Sequence, residues 1–433
     1  MNPACEASMM PVVNDFTLFF QFLKSQDKTP LTIEKAVLKG KDLFVLNQQL
    51  YYKSAYVTEK SLQNAYPALD FFYQVAVASR LVYIYRQEKE NYLQLNRLRL
   101  EAFEALTFTE KYFFLLETAW SYINWPKLSE TMSWILIEES IIRILHLVSL
   151  SIPGSLLPVA QHRYIDLGEE KIYFSIVSSA IYAFYVLGFY DLIFDNTFTQ
   201  KPDRYMLPVT ALKPTLLGRE LATILLDKRP LELWNVACRR DSNEGEIPLG
   251  ITEEHFYIED AKGNVTPNPL VTFETESFLK PFLPLFNPGE LKTSLFPLPK
   301  AFTEGIFHFK IALAKDLYRT IAISAYDTLH DLHNAIQAAY KFDNDHLYAF
   351  YMDNEQYSGE RYESPWSEEG PFADTVKIGE LDLYAGQQFL YLFDFGDEWL
   401  FTITLLAIDT SGVVLKKPKV LDKQGRNPKQ YRA

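Results

Sequence analysis

The stretch Phe389 to Ile403, FLYLFDFGDEWLFTI, constrains this chain more than any other. Two apolar and aromatic runs flank Gly396-Asp397, and a glycine opening a two-residue connection suits a type II′ hairpin turn. Pairing outward from that turn sets Phe395 opposite Glu398 and Asp394 opposite Trp399. One face then carries Leu390, Leu392, Asp394, Trp399, Phe401, Ile403 and Leu405. The other carries Phe389, Tyr391, Phe393, Phe395, Glu398, Leu400 and Thr402. Both faces are largely apolar, so the hairpin is expected inside a domain and not at its rim. Asp394 becomes a carboxylate beside a tryptophan on an apolar face, where it needs partners or costs roughly several kcal/mol.

A chain of 433 residues is too long for one core and predicts two to four domains. Hydrophobic residues make up 48% and aromatic residues 15%, enough to bury more than one core. Cys5 and Cys238 cannot form a disulfide framework, which points to a reducing compartment. The first residues, MNPACEASMMPVVNDF, lack the basic and apolar regions of a secretory signal. The longest apolar run, Ile172 to Phe189, is broken by serines and tyrosines and reads as a buried helix, not a membrane span. A cytoplasmic protein without a membrane partner is therefore expected. Net charge is −13, and it is unevenly spread. Residues 1–240 hold 25 basic and 25 acidic side chains, whereas 241–433 hold 17 and 30. The acidic part repels phosphate backbones, so nucleic acid is a possible partner that charge does not favour.

Residues 1–107 and 108–240 share one plan. In the first, helices are expected over Asn14–Gln26 (Asn14 as N-cap), Lys41–Tyr52 and Ala68–Ser79. A strand Arg80–Tyr85, a polar turn Arg86–Asn91, a strand Tyr92–Leu95 and a helix Leu98–Leu106 follow. In the second, helices Thr109–Ile123, Ser129–Leu150 and Lys171–Leu187 precede a strand Gly188–Ile193. A polar excursion Phe194–Arg204, a return strand Tyr205–Val209 and a helix Pro214–Leu226 complete it. LGFYDLIF followed by VTALKPTLLGREL resembles the wing and closing helix of many bacterial winged-helix regulators. The implied fold class is multidomain: a mainly α N-terminal half with two winged-helix-like units, then an α+β C-terminal domain. A recognition helix should offer basic or amide side chains to base edges, but IYFSIVSSAIYAFYVL after Lys171 contains no basic residue. Structural modules packed on each other or on a partner are thus favoured over DNA binding.

Residues 241–304 hold eight of the 23 prolines and read as a connector, in which Phe273 to Phe286 suits a short docking helix. From 305 to 433 the pattern is strand (Phe307 to Leu313), strand (Leu317 to Ile323), helix from Thr328, strand, acidic loop and hairpin. TLHDLHNAIQAAYKFDNDHLYAF with YLFDFGDEWLFTI resembles the plasmid pRiA4b ORF-3-like (TnpR-like) family. The family positions fall at Leu329, Leu332, His333, Ile336, Gln337, Ala339, His346, Leu347 and Phe350. On the hairpin they fall at Tyr391, Asp394, Phe395, Gly396, Asp397, Trp399 and Ile403, with Arg319 and the closing Pro428, Gln430 and Tyr431 also matching. Phe342 stands where the family has a tryptophan, and Phe401 where it has a histidine. The resemblance implies a fold, an association with mobile elements and no established reaction.

The candidate pocket is formed by His333, His346, Arg319, Tyr391, Asp394, Asp397 and Trp399, between the hairpin and the helix carrying His333. His333 and His346 with Asp394 and Asp397 have the ligand chemistry of a metal-dependent enzyme, the weaker alternative. The favoured reading is that the histidines order the acidic loop, that His330 faces away from the neighbours of His333, and that Asp397 shapes the turn. Asp394 is expected to accept hydrogen bonds from backbone, His346 or Arg319. Asp394-Phe395-Gly396 spells the kinase magnesium motif by chance, with no glycine-rich loop before it, and no P-loop, dinucleotide fingerprint or nucleophile elbow occurs. No cofactor and no catalytic residue is expected. The chain reads as a non-enzymatic interaction or regulatory protein, with a winged-helix DNA-binding regulator as the alternative.

Overall fold

The structure, a computed structural model, describes every residue except 1–2, 27, 34, 88–89, 130–133, 169–170, 200–206, 243–246, 253–254, 256, 260–264, 268–275, 297–301, 369, 382, 384, 412–414 and 432–433. Helices and sheets are mixed. The chain divides into two units, one drawn mainly from residues 1–297 and one centred on 298–433.

The first unit is helix-rich. It begins with α1 (Pro3–Lys24), β1 (Thr29–Pro30), α2 (Gly40–Asn47), α3 (Pro67–Ala78), β2 (Val82–Gln87), β3 (Glu90–Leu95) and α4 (Arg97–Glu104). Asn14 is not an N-cap, because α1 starts eleven residues earlier. The buried stripe already runs through Met9, Val12 and Val13 before it reaches Phe16, so the apolar face extends the helix toward its start. β3 lies between β1 and β2 in a three-stranded sheet.

The same unit continues through α5 (Phe108–Tyr122), α6 (Trp125–Leu128), α7 (Trp134–Leu150), β4 (Leu157–Ala160), β5 (Tyr164–Asp166) and β6 (Lys171–Tyr173). Then come α8 (Phe174–Val186), β7 (Tyr190–Phe194), β8 (Val209–Pro214), α9 (Leu216–Lys228), α10 (Leu231–Trp234) and α11 (Val236–Asp241). The run from Lys171 starts as a strand and not as a helix, because Lys171, Ile172 and Tyr173 pair with Asp166, Ile165 and Tyr164. The return strand begins where it was expected to end, at Val209, and pairs with β7 up to Pro214 opposite Tyr190. Tyr205 and Met206 of the expected strand, and residues 200–204 of the excursion, lie outside the described residues. Thr215 then caps α9, accepting from Gly218 N at 2.8 Å. Gly218 has a steric reason: a Cβ there would stand 1.9 Å from Phe189 O, so only a residue without one lets α9 approach that backbone.

Two short strands, β9 (Tyr257–Glu259) and β10 (Val265–Pro267), precede a 3-10 turn over Lys280–Leu285. The proline-rich region packs aromatic residues into the first unit. Phe282 and Phe286 each sit 5.3 Å from Phe113, and Phe296 stacks on Tyr122 at 4.6 Å.

The second unit is a large antiparallel sheet with one long helix. Its elements are β11 (Ile306–Ala314), β12 (Leu317–Ser324), α12 (Leu329–Tyr340), β13 (Tyr348–Tyr351), β14 (Arg361–Glu363), β15 (Gln388–Phe393), β16 (Trp399–Asp409) and β17 (Lys419–Gln424). The strand order is β14-β13-β15-β16-β11-β12-β17. The hairpin β15–β16 therefore lies in the sheet interior, and its residues belong to a core shared with Leu329, Leu332 and Ile336 of α12.

The hairpin register differs from the sequence expectation by one residue. Phe393, not Asp394, pairs with Trp399, and Tyr391 pairs with Phe401. The turn thus spans 394–398. A slip of one moves one strand to the opposite face. Phe389, Tyr391 and Phe393 share the core face with Trp399, Phe401 and Ile403, while Leu390 and Leu392 lie opposite Thr402 and Leu400 on the other. Phe395 is exposed in the turn and pairs with nothing in the ladder. Among the described residues, no helix is long and apolar enough to cross a membrane.

Candidate functional site

Thr328 starts α12 with a reciprocal cap. Its Oγ1 accepts from Asp331 N at 3.1 Å, and Asp331 Oδ2 accepts from Thr328 N at 2.8 Å. The 3.6-residue period then turns Leu329, Leu332, His333, Ile336, Gln337 and Tyr340 inward. His333 is wholly buried. Asn344 Nδ2 donates to Asn334 Oδ1 at 3.2 Å, which leaves Asn344 Oδ1 to accept from His333 Nε2 at 2.7 Å. With its proton on Nε2, the ring accepts at Nδ1 from the Tyr391 hydroxyl at 2.7 Å. Gln337 Nε2 donates to that same hydroxyl at 2.7 Å. The His333 ring stacks on Tyr348 with centroids 3.7 Å apart and 11° between planes.

Burial pushes the His333 pKa down to about 3, against the Asn344 hydrogen bond and with help from nearby His330. The imidazole is neutral, and both nitrogens are occupied. It has no free lone pair for a metal or a substrate proton. Burial also drives the Tyr391 phenol well above its usual range. The network is a fixed bridge between α12, the loop after it and β15. One atom stands apart: Gln337 Oε1 is buried without a hydrogen-bond partner among the described residues.

His330 does not face away from this cluster. Its Nδ1 shares a 2.6 Å hydrogen bond with the Tyr348 hydroxyl, and its ring lies 5.6 Å from that of His333. Positions three apart on a helix are neighbours, and Tyr348 joins them by stacking on one and bonding the other. Trp366, 65% exposed, meets the His330 ring at 5.4 Å, so the cluster reaches the surface there. Tyr348 was not among the sequence candidates. Its signal was the alternation of Tyr348 with Phe350 on one face of a strand opposite the helix. Asn344 had no comparable signal.

Asp394 governs the hairpin turn. It adopts φ +59°, in the left-handed region that aspartate tolerates better than most residues. Its Oδ1 accepts from Gly396 N at 2.9 Å and Asp397 N at 3.3 Å, and its carbonyl accepts from Glu398 N at 2.7 Å. Its Oδ2 lies 3.4 Å from His346 Nε2, which is 3.7 Å from Asp345 Oδ1. Asp397 is exposed and contributes its backbone N–H to the turn. Trp399 packs edge-on against Phe342 at 4.9 Å.

Arg319 stands apart from the other candidates. It is on β12, three strands from β15 in the sheet order. Its guanidinium donates to Tyr318 O and Gln424 O, both at 2.6 Å, to Gly425 O at 3.2 Å and to Asn427 Oδ1, and lies 4.8 Å over the Tyr340 ring. It fastens the last strand to the sheet. The sequence candidates thus fall into three groups: His333 with Tyr391, His346 and Asp397 around Asp394 with Trp399 at the base of the same turn, and Arg319 alone. Among the described residues, no three His, Cys, Asp or Glu side chains are arranged to hold a metal.

Residues 306–430 match the family model described as plasmid pRiA4b ORF-3-like protein, as the helix and hairpin motifs predicted. A crystal structure of a protein of unknown function from Methanosarcina mazei Go1 is similar, at 26% identity over 29% of this chain and 72% of that chain, with a TM-score of 0.24. No curated protein matches this chain.

Proposed function

We propose that the chain acts by binding a protein partner, as a non-enzymatic interaction or regulatory protein. The observation that carries the non-enzymatic part of this reading is the state of His333, a buried titratable group in the C-terminal domain. It is neutral, enclosed and bonded at both nitrogens to Tyr391 and Asn344. A general acid or base needs a pKa near its working pH and access to substrate, and this residue has neither.

The two halves of the first unit read as winged-helix-like modules. In each, the first strand pairs with the return strand of the wing, as β1 with β3 and β4 with β8. The helices before the wings, α3 and α8, contain no lysine or arginine, and their buried residues are mostly apolar. They suit packing on protein better than reading bases. The plasmid in the family description is the support for an association with mobile elements. Two assays test the reading. Affinity capture of the full chain from native lysate is expected to recover a stoichiometric protein, and a gel shift with genomic fragments at low salt is expected to show no retardation. Retardation with empty capture would favour the DNA-binding alternative.

A further inference from the structure

Residues 276–296 run along the first unit in two parts that different forces hold. The first part is held by burial. Phe278, Leu279, Phe282 and Phe286 are buried, and Arg229 donates to Ser277 O at 2.8 Å and to Phe278 O at 3.1 Å. The second part, 287–296, buries Leu291 and is otherwise fastened to α5 and its neighbours mainly by polar groups. Thr107, the cap of α5, donates its hydroxyl to Glu290 O at 3.4 Å. Glu110 Oε1 accepts from Lys292 N at 3.2 Å, and Arg99 Nη2 donates to Leu295 O at 3.2 Å. Ser294 donates its hydroxyl to Glu117. Phe296 closes the segment, 4.6 Å from Tyr122 and 5.4 Å from Phe114. Leu295 stands at φ +63°, a left-handed conformation that disfavours a leucine. A segment with few buried apolar side chains and a strained residue opens locally before its better-buried neighbour does.

Glu117 is the group that can drive such an opening. It lies two helical turns beyond Glu110 on the same face of α5, and both Glu117 and Ser294 are buried. Burial pushes its pKa up to about 7, against the Ser294 hydroxyl and the charge of Arg229. Arg229 gives hydrogen bonds to Lys228 O, Ser277 O, Phe278 O and Glu276, and acts on Glu117 through its field. The other charged groups at the segment do not change in the same range. For Glu110, burial is outweighed by the N–H and hydroxyl of Thr107 and the N–H of Lys292, so its carboxyl lies below the usual value. The Asn287 side chain lowers Glu290 in the same way, and Arg99 keeps its charge throughout.

We propose that residues 287–296 form a strap that lifts from α5 when Glu117 ionises and closes when Glu117 takes up a proton, with 276–286 as its fixed anchor. An ionised carboxylate under the closed strap has lost its water, and lifting returns that water at the cost of a few polar contacts. Lifting also uncovers the Phe114 and Tyr122 rings on which Phe296 lies. The closed form holds a proton that the open form releases near 4.5, so closure is complete at acid pH and is lost as the pH rises toward 7. Above 7 both forms are ionised and the balance levels off. The strap is a property of the isolated chain and does not rest on the protein-binding reading.

The test is amide hydrogen exchange of the full chain from pH 5.5 to 8.5, corrected for intrinsic exchange rates, with peptides covering 287–296 and 276–286 followed separately. The opening constant of 287–296 is expected to rise roughly 20-fold between pH 5.5 and 7.5 and to level off above, while 276–286 keeps its protection. Glu117→Gln, which cannot ionise, is expected to abolish the rise. Should that variant not fold, the contrast between the two peptides in the unaltered chain decides. A flat profile over 287–296, a parallel rise in 276–286, or an undiminished rise in folded Glu117→Gln overturns the proposal.

Discussion

An imidazole enclosed by Tyr348, Tyr391 and Asn344 has lost the water that would solvate its cation. The folded pKa of His333, about 3, lies below the ordinary value of 6.5, so below that value the unfolded chain binds a proton the folded chain refuses. The stability this residue contributes is present above pH 6.5 and falls as the pH drops, by about 1.4 kcal/mol per pH unit at most. His333→Gln is expected to flatten the acid slope of thermal stability between pH 6.5 and 4.5, and an unchanged slope would refute the account of the bridge. Tyr391→Phe removes one hydroxyl and leaves His333 Nδ1 and Gln337 Nε2 without that partner, a loss of about 1–3 kcal/mol in denaturant titration. At the turn, Asp394→Ala gives up two accepted N–H bonds and an aspartate in the left-handed region, for about 1–2 kcal/mol. Gly396→Ala is expected to stay within about 0.5 kcal/mol, because Gly396 has no positive φ and its Cβ would meet only Asp394 Oδ1, at 3.3 Å. The sequence showed that Asp394 needed partners. It could not show that the side chain builds the turn, and the glycine beside it drew the special conformation to the wrong residue.

At the scale of elements, legibility followed periodicity. α12 was readable because an apolar stripe at helical spacing and a Thr328–Asp331 cap agree on one start. The hairpin strands were readable as strands, but their register was not: both faces are apolar, so alternation could not choose between two pairings a residue apart. β17, KVLDKQ, is exposed along its whole length, so no buried face marks it in the sequence. α8 was placed too early because the apolar run from Lys171 reads equally as helix or strand until the pairing with β5 is known. The close approach of α9 to Phe189 was invisible for the same reason, since it joins residues distant in sequence. Gly218→Ala forces a methyl to 1.9 Å from a backbone oxygen and is expected to cost about 1–3 kcal/mol or more, read as a lower midpoint in urea. A neutral outcome would mean that α9 can move away from that strand.

Across the molecule, two buried groups respond to pH in opposite senses. Glu117 on α5 is buried, accepts from the Ser294 hydroxyl and has its pKa pushed up to about 7 by burial, with Ser294 and Arg229 opposing. The folded state therefore holds a proton that the unfolded state releases near 4.5, and stability is lost as pH rises through 7. Glu117→Gln is expected to remove that loss and to stabilise the chain at pH 8 relative to pH 5, the reverse of the His333 slope. The acidic balance of residues 241–433 was legible from composition, and the resemblance of the helix and hairpin segments to the ORF-3-like family was borne out over 306–430. Whether the remainder binds a partner was not legible, because a recognition surface leaves no period in a sequence. Binding of a protein partner is tested by capture of the full chain from native lysate with nuclease treatment before elution. A partner protein is expected in near-stoichiometric amount after the nuclease; recovery of nothing, or only of material that nuclease removes, would rule that binding out.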